Sequence, residues 1–326
     1  MSEKSVNIWV LTDGRAGNEA QALGLAEACA RIASAEITVK RISLKPWAAL
    51  VPPGLVSRLG TRENGWPFSG IAEGREDLKW PWPDLVISAG RRSAPTAAAI
   101  RELHGGSAVH LLSPQMPVTV FDAIVVPEHD ALTGGNVLRT VGAMSRLTPD
   151  RIATECGPWR DRLDHLPERR VAVLIGGPSK SARFTPGDEK TLLLALESLT
   201  STHGLMITPS RRTRPEFERQ LIERLSDRAF VWDGQGVNPY PGILGLADAV
   251  LVTEDSINMA SEAATSGLPV HIFPVASVAS KFRRFHESLE TRGASRRFTG
   301  QIETWTYEPL READRIAGDL RRWGVF

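Results

Sequence analysis

The chain has 326 residues, 42% hydrophobic and 24% charged, a balance that excludes a disordered protein, a collagen-like repeat and a coiled-coil rod. Its 39 Lys and Arg nearly cancel 38 Asp and Glu, for a formal net charge of +1. No global field draws it onto nucleic acid or an anionic membrane, and any anion site must be local.

Two cysteines, Cys29 and Cys156, without CxxC spacing, argue against a disulfide framework and a thiolate metal site. The start, Met1 to Asn7, holds an acid and leads straight into an apolar strand, unlike a signal or transit peptide. No apolar run approaches the roughly 20 residues that a membrane helix needs. The expectation is a soluble, cytoplasmic protein with no integral membrane segment, peripheral membrane contact remaining open.

Short apolar runs alternating with amphipathic stretches predict βα units around parallel sheets. Ile8–Leu11 is the first strand; Glu19 to Ala33 is a helix with Ala22, Leu25, Ala26 and Cys29 on one face, and Ile37–Lys40 is the second strand. Lys45–Pro83 breaks the pattern with six prolines and with Trp47, Trp66, Trp80 and Trp82, and predicts a long loop. Strands resume at Asp84–Ser88, Ala108–Leu112 and Ala123–Val126, with a helix over Ala94–Leu103. The polar, proline-bearing stretch Thr148–Arg170 reads as an interdomain connection. A second series follows: strands at Val171–Ile175, Leu205–Thr208, Phe230–Trp232, Ala249–Val252 and Val270–Phe273, with helices at Thr191–Leu199 and Ile257–Ser266. The last of these helices ends in the Gly267 cap and Pro269. Glu308–Trp323 predicts a terminal helix. The expected fold is α/β, with two Rossmann-like domains (1–165 and 166–305) facing a central cleft, and 306–326 packing back toward the first.

In parallel sheets, ligands bind at loops leaving the carboxyl ends of strands. Thr12-Asp13-Gly14-Arg15-Ala16-Gly17-Asn18 follows the first strand, and Gly14 and Gly17 allow close backbone approach. It is neither GxGxxG nor a Walker A loop, and a plain turn capped by Asp13 explains it equally well. Gly90-Arg91-Arg92-Ser93 makes a second anion pocket from Arg91 and Arg92, against a plain reading of one solvated and one paired arginine. Gly176-Gly177-Pro178-Ser179-Lys180, joined by Arg211, offers close approach, hydroxyl and cation to a diphosphate. Thr253-Glu254-Asp255-Ser256 opens a helix carrying Asn258, Ser261 and Glu262, whose carboxylate could accept two hydrogen bonds from a ribose diol. In Glu128-His129-Asp130, His129 is the acid–base candidate, with Asp13 and Arg15 beside it in the catalytic set. There is no GxSxG, no HExxH and no carboxylate cluster for a metal.

Asp248 to Ser256, Ser261-Glu262 and Gly267-Leu268-Pro269-Val270 resemble the donor half of GT-B glycosyltransferases. That resemblance implies a carboxylate holding the nucleotide ribose, with a Gly-rich loop of the first half facing the donor diphosphate and acceptor. Trp9 to Leu25, Val126 to Asp130, Ile175 to Pro178, Asn238-Pro239-Tyr240 and Val252 to Ser256 together resemble the mitochondrial-fission Elm-like family over most of the chain. Plant members of that family are described as peripheral factors at the mitochondrial surface that help recruit a dynamin-related protein. The family pattern carries His where this chain has Asn18, and Asn cannot serve as a general base. The resemblance implies a nucleotide-diphosphate sugar as substrate, no further cofactor, and a glycosyltransferase-type activity on an acceptor. Two alternatives stand beside it: a non-catalytic adaptor contacting a protein partner through Lys45–Pro83, and a nucleotide-sugar 2-epimerase.

Overall fold

The computed structural model describes residues 5–56 and 60–326. The chain divides into two compact units: Met1–Arg146 with Arg311–Phe326, and Leu147–Leu310.

Unit 1 is built on β1 (Val6–Thr12), β2 (Ala35–Arg41), β3 (Leu85–Ala89), β4 (Ser107–Leu111), β5 (Ala123–Pro127) and β6 (Val137–Thr140). They form one sheet in the order β2-β1-β3-β4-β5-β6, every pairing parallel. Strands covered on both faces need apolar side chains in both directions, and the near-continuous runs supply them. Ile8 and Val10 enter one core layer, and Trp9 and Leu11 the other. The first layer is closed by α1 (Ala16–Ile32), through Ala22, Leu25, Ala26 and Cys29. The helix Glu312–Arg322 adds Ile316, Ala317 and Leu320 to the same layer. Burial of side chains as large as Ile316 and Leu320 contributes roughly 1.5–3 kcal/mol each.

The Lys45–Pro83 stretch is more ordered than a long loop; of it, residues 57–59 lie outside the described residues. It contains α2 (Pro46–Leu50), and Phe68 and Ile71 enter the second core layer. Trp82 stacks on His104 at 3.5 Å and tilts against Trp9, whereas Trp80 is 80% exposed. The second layer is completed by α3 (Ala94–His104).

The Thr148–Arg170 stretch is helical where a connection was expected. It holds α4 (Pro149–Arg160), capped by Thr148, whose hydroxyl accepts from the Arg151 N–H at 3.2 Å. The reason is positional: Pro149 occupies the first turn, where a missing N–H costs nothing. Unit 2 continues with β7 (Arg170–Ile175), α5 (Pro186–Leu199), β8 (Gly204–Pro209), α6 (Pro215–Leu225), β9 (Ala229–Val231), α7 (Tyr240–Leu244), β10 (Ala249–Thr253), α8 (Ile257–Ser266), β11 (Val270–Phe273), α9 (Ser280–Thr291) and β12 (Ser295–Arg297). Its sheet runs β9-β8-β7-β10-β11-β12, again parallel throughout. The Glu312–Arg322 helix of unit 1 is α10 in chain order. Two six-stranded parallel sheets bear out the α/β, Rossmann-like expectation.

The strand orders locate the ligand-binding edge of each unit. In unit 2 the chain leaves β7 toward β8 on one side and returns to β10 on the other. The connections diverge there, leaving a crevice at the carboxyl ends. The same reversal in unit 1 falls between β1 and β3.

Candidate functional site

At the β7–β10 switch of unit 2, the chain fills its own crevice. The Gly176 N–H donates to Thr253 Oγ1 at 2.8 Å, and the Gly177 N–H donates to Asp255 Oδ2 at 2.8 Å. The Thr253 hydroxyl donates to Asp255 Oδ1 at 2.6 Å. Arg212 reaches in from the loop after β8, pairing with Asp255 Oδ2 at 2.9 Å and donating to the Gly177 carbonyl at 2.5 Å. Thr213 donates to the carbonyls of Ile175 and Gly176. Asp255 has no exposed side-chain surface, so its charge is held by three donors rather than by water.

The two glycines are required by this network. A Cβ on Gly176 would lie 2.1 Å from Asp255 Oδ2, and one on Gly177 would lie 1.9 Å from the Arg212 carbonyl oxygen. Both amides are therefore engaged by protein. What faces outward is the next segment: Ser179 and Ala182 exchange backbone hydrogen bonds across a turn. Ala182–Arg183 then pairs antiparallel with Ser277–Val278. This hairpin borders an open cleft of about 450 Å³ that includes Ser179, Lys180, Ser181, Arg183 and Ser277. Arg211 is exposed on the adjoining loop, one residue before the engaged Arg212.

Ser256 caps α8, accepting from the Met259 N–H at 3.4 Å, and is itself buried. Glu254 accepts from the Val275 N–H with Oε2, and its carbonyl accepts from His286 Nε2 at 2.8 Å. Burial holds the His286 pKa below the ordinary histidine range, so the ring donates as the neutral imidazole. Ser261 turns its hydroxyl back to the Ile257 carbonyl. Asn258 and Glu262, four residues apart, share a face of α8. Desolvation pushes the Glu262 carboxyl up to about 7, against the opposing pull of the Tyr240 hydroxyl and of Arg151. A half-buried carboxyl, with a phenol and a guanidinium nearby, is placed to exchange hydrogen bonds with a ligand hydroxyl.

In unit 1, Gly14 has φ +75° and nothing within 4 Å of the position a Cβ would take. Arg15 Nε lies 3.3 Å from Asp13 Oδ2. Gly17 falls in the first turn of α1, which begins at Ala16, earlier than expected, because the segment after Arg15 is already helical. Asn18 packs against Gly90, where a Cβ would meet Asn18 Nδ2 at 2.4 Å, so the loops after β1 and β3 meet. Arg91 is exposed and Arg92 half-buried on the β3 loop. His129 stands apart from these residues. It follows β5, three strands from β1, a lateral separation of roughly 14 Å at the usual strand spacing. Its turn is held by Arg139, which donates to the carbonyls of Glu128 and Asp130.

Tyr240 and Arg151 are the residues that sequence reasoning missed, whereas Arg212, Thr213 and Thr253 stand in loops that it singled out without giving them a role of their own. Only strand adjacency brings the β8 loop to Asp255, and no spacing along the chain announces it. Among the described residues, no helix is long and apolar enough to cross a membrane.

The family model for "Mitochondrial fission ELM1" matches residues 16–323. The "Mitochondrial fission protein ELM1" of Arabidopsis thaliana is 30% identical over 279 residues, covering 76% of this chain; the chain spans 65% of that protein's length. The "Uncharacterized protein RP120" of Rickettsia prowazekii is 28% identical, over 96% of this chain and 97% of its own. Among solved structures, UDP-GlcNAc 2-epimerase from Neisseria meningitidis bound to UDP-GlcNAc aligns with a TM-score of 0.54 at 11% identity, covering 98% of this chain and 92% of its own. Arabidopsis thaliana UGT89C1 complexed with quercetin aligns with a TM-score of 0.50 at 14% identity, covering 98% and 90%. At such identities the likeness is one of fold, and that fold is GT-B-like. By the extent of the sequence match, the chain belongs to the mitochondrial fission ELM1 family.

Proposed function

We propose that unit 2 binds a nucleoside-diphosphate sugar at the carboxyl edge of β7 and β10, and that the chain acts on it as a glycosyltransferase-type enzyme. The observation that carries this reading is Glu262. It is a half-buried carboxyl on the helix that opens at the switch point, raised toward neutrality and flanked by Tyr240 and Arg151. A ribose diol is the partner such a group suits. The buried Asp255–Arg212 network then serves as the frame that fixes the loops, rather than as the ligand's own contacts.

The diphosphate is assigned to Ser179, Lys180 and Ser181 at the open cleft, with Arg211 beside them and the α8 N-terminus adding its dipole. The Gly176 and Gly177 amides, which the sequence offered for this task, contribute by shaping the frame. A sugar leaving from its diphosphate builds negative charge on the phosphate oxygens. Fixed cations and N–H dipoles stabilise that charge as it forms. In unit 1, Asp13 and Arg15 are the candidates to engage an acceptor. Asp13 is the stronger base candidate of Asp13 and His129, because its loop leaves the switch-point strand.

The 2-epimerase reading rests on fold likeness alone and lacks an assembled set of acids around a sugar ring. The adaptor reading draws on Trp80, which is 80% exposed, but Phe68, Ile71 and Trp82 of the same stretch are folded onto unit 1. The test is a thermal-shift screen of the purified chain against UDP, GDP, ADP, CMP and their sugars. A shift with one nucleotide that Glu262→Gln removes supports the site. A flat screen at millimolar ligand overturns it.

A further inference from the structure

We infer that unit 1 carries a binding site for a small organic carboxylate with an apolar body, in a cavity formed by the α2 segment and the loop after β3. It is independent of the nucleotide reading of unit 2. Its walls include Ala48, Val51 and Trp66 on one side and Arg91, Arg92 and Thr96 on the other. Every lining side chain is apolar or offers a donor; none is a carboxylate.

Three observations point to an anion. Arg92 Nε and Trp66 Nε1 are both buried with no hydrogen-bond partner. Leaving a buried guanidinium N–H unmet is costly, so an acceptor is the missing piece. Neither Arg91 nor Arg92 forms an ion pair among the described residues, so the positive charge is uncompensated there. Finally, α3 begins at this cavity without a side-chain cap: Ser93 turns its hydroxyl back to the carbonyls of Ala89 and Gly90, at 2.9 and 3.1 Å. Pro95 has no N–H and the Ala97 N–H is bonded to the Ser93 carbonyl, so the Ala94 and Thr96 amides are what the first turn, with its helix dipole, offers beside this cavity.

The shape narrows the ligand. The cavity is partly open and holds about 20 Å³, room for roughly one water-sized group. One oxygen of a flat carboxylate fills that space, and the planar pair of oxygens matches the donor fork of arginine; a tetrahedral phosphate is bulkier. The apolar body stays in the mouth, against indole. Trp47 packs on Trp66 at 5.5 Å between ring centroids and is 51% exposed. The Trp66 ring is held from behind by Gly70, where a Cβ would lie 2.5 Å from Trp66 Cζ3, so the indole N–H is pre-positioned.

The experiment titrates the full chain with hexanoate, hexyl phosphate, hexanol and inorganic phosphate. Calorimetry is paired with the indole N–H resonance that disappears in Trp66→Phe. Hexanoate is expected to bind saturably and shift that resonance, with hexyl phosphate at least tenfold weaker and hexanol and inorganic phosphate silent. Arg92→Gln should weaken hexanoate at least tenfold, and Arg92→Lys by less. Ala49 also lines the cavity; Ala49→Leu keeps both donors but narrows the slot, and should abolish binding even where Arg92→Gln proves unstable. Equal binding of hexanol and hexanoate, tighter binding of hexyl phosphate, or hexanoate binding unchanged in folded Arg92→Gln or Ala49→Leu would overturn the assignment.

Discussion

In unit 2 the glycines after the switch-point strand have their Cβ space filled by the protein itself, by Asp255 at Gly176 and by the Arg212 carbonyl at Gly177. In unit 1 the glycine after the equivalent strand, Gly14, has open space around it. The hydrogen bonds differ in the same sense. Those around Asp255 are buried and run from 2.6 to 2.9 Å. Those around Asp13 are local and run from 3.3 to 3.5 Å. One topology thus yields a buried, self-satisfied frame in unit 2 and, in unit 1, a loop that exposes Gly14 and Arg15 over an Asp13 side chain only 6% exposed. A glycine-rich turn at a strand's end marks close approach, but what approaches can be the chain's own backbone.

The contrast is broken most forcefully at Asp255. Asp255→Ala leaves Arg212, the Gly177 N–H and the Thr253 hydroxyl without their shared acceptor, and should cost about 3–5 kcal/mol in urea unfolding. A loss no larger than that of an average surface substitution would show the frame to be dispensable. The paired glycines sharpen the comparison. Gly177→Ala forces a backbone clash and should destabilise by about 3 kcal/mol. Gly14→Ala meets no neighbour and should cost only the left-handed backbone penalty of roughly 1–2 kcal/mol. Equal costs would erase the distinction between the two edges.

The third effect depends on pH. Glu262 has a folded-state pKa raised to about 7 from an ordinary 4.5, so the native protein keeps a proton that the unfolded chain has released. Its stabilising share is intact below the unfolded value and is lost as pH rises through the window from 4.5 to about 7. Glu262→Gln should therefore lose less stability than the parent between about pH 5 and about pH 8, measured by chemical denaturation. Parallel pH profiles would remove Glu262 from its special environment. The smallest change is expected at the unit 1 loop. Arg15 is 61% exposed, and Arg15→Ala should alter stability by less than about 1 kcal/mol.

Much of this architecture was legible because buried parallel strands need unbroken apolar runs. Val171–Ile175 and Val270–Phe273 stand out on that ground, and α8 was bounded by Ser256 before it and Gly267 and Pro269 after it. The edge strand Ser295–Arg297 was not legible, since two of its three residues are exposed arginines and its apolar signal is absent. Helix α4 was hidden by its prolines: Pro149 suits the first turn, but Pro158 lies inside the helix, where it removes a backbone hydrogen bond and normally signals a break. Within the candidate site, Asp255 was visible as a polar residue at a strand's end and Glu262 as a carboxyl on the helix that follows. Their division of labour was not, because burial and the Arg212 contact come from β8 lying beside β7. His129 looked equivalent to Asp13 along the chain, and only the strand order separates them.

The central claim is that unit 2 holds a nucleoside-diphosphate sugar with Glu262 on the ribose. Its most direct test is calorimetric titration of UDP-GlcNAc, UDP and the 2′-deoxy form of UDP into the parent chain and Glu262→Gln. The account predicts binding of UDP and UDP-GlcNAc by the parent, with the 2′-deoxy nucleotide and the Glu262→Gln variant weakened to the same degree. Binding that ignores both the 2′-hydroxyl and Glu262, or no binding of either nucleotide by the folded parent, would contradict it.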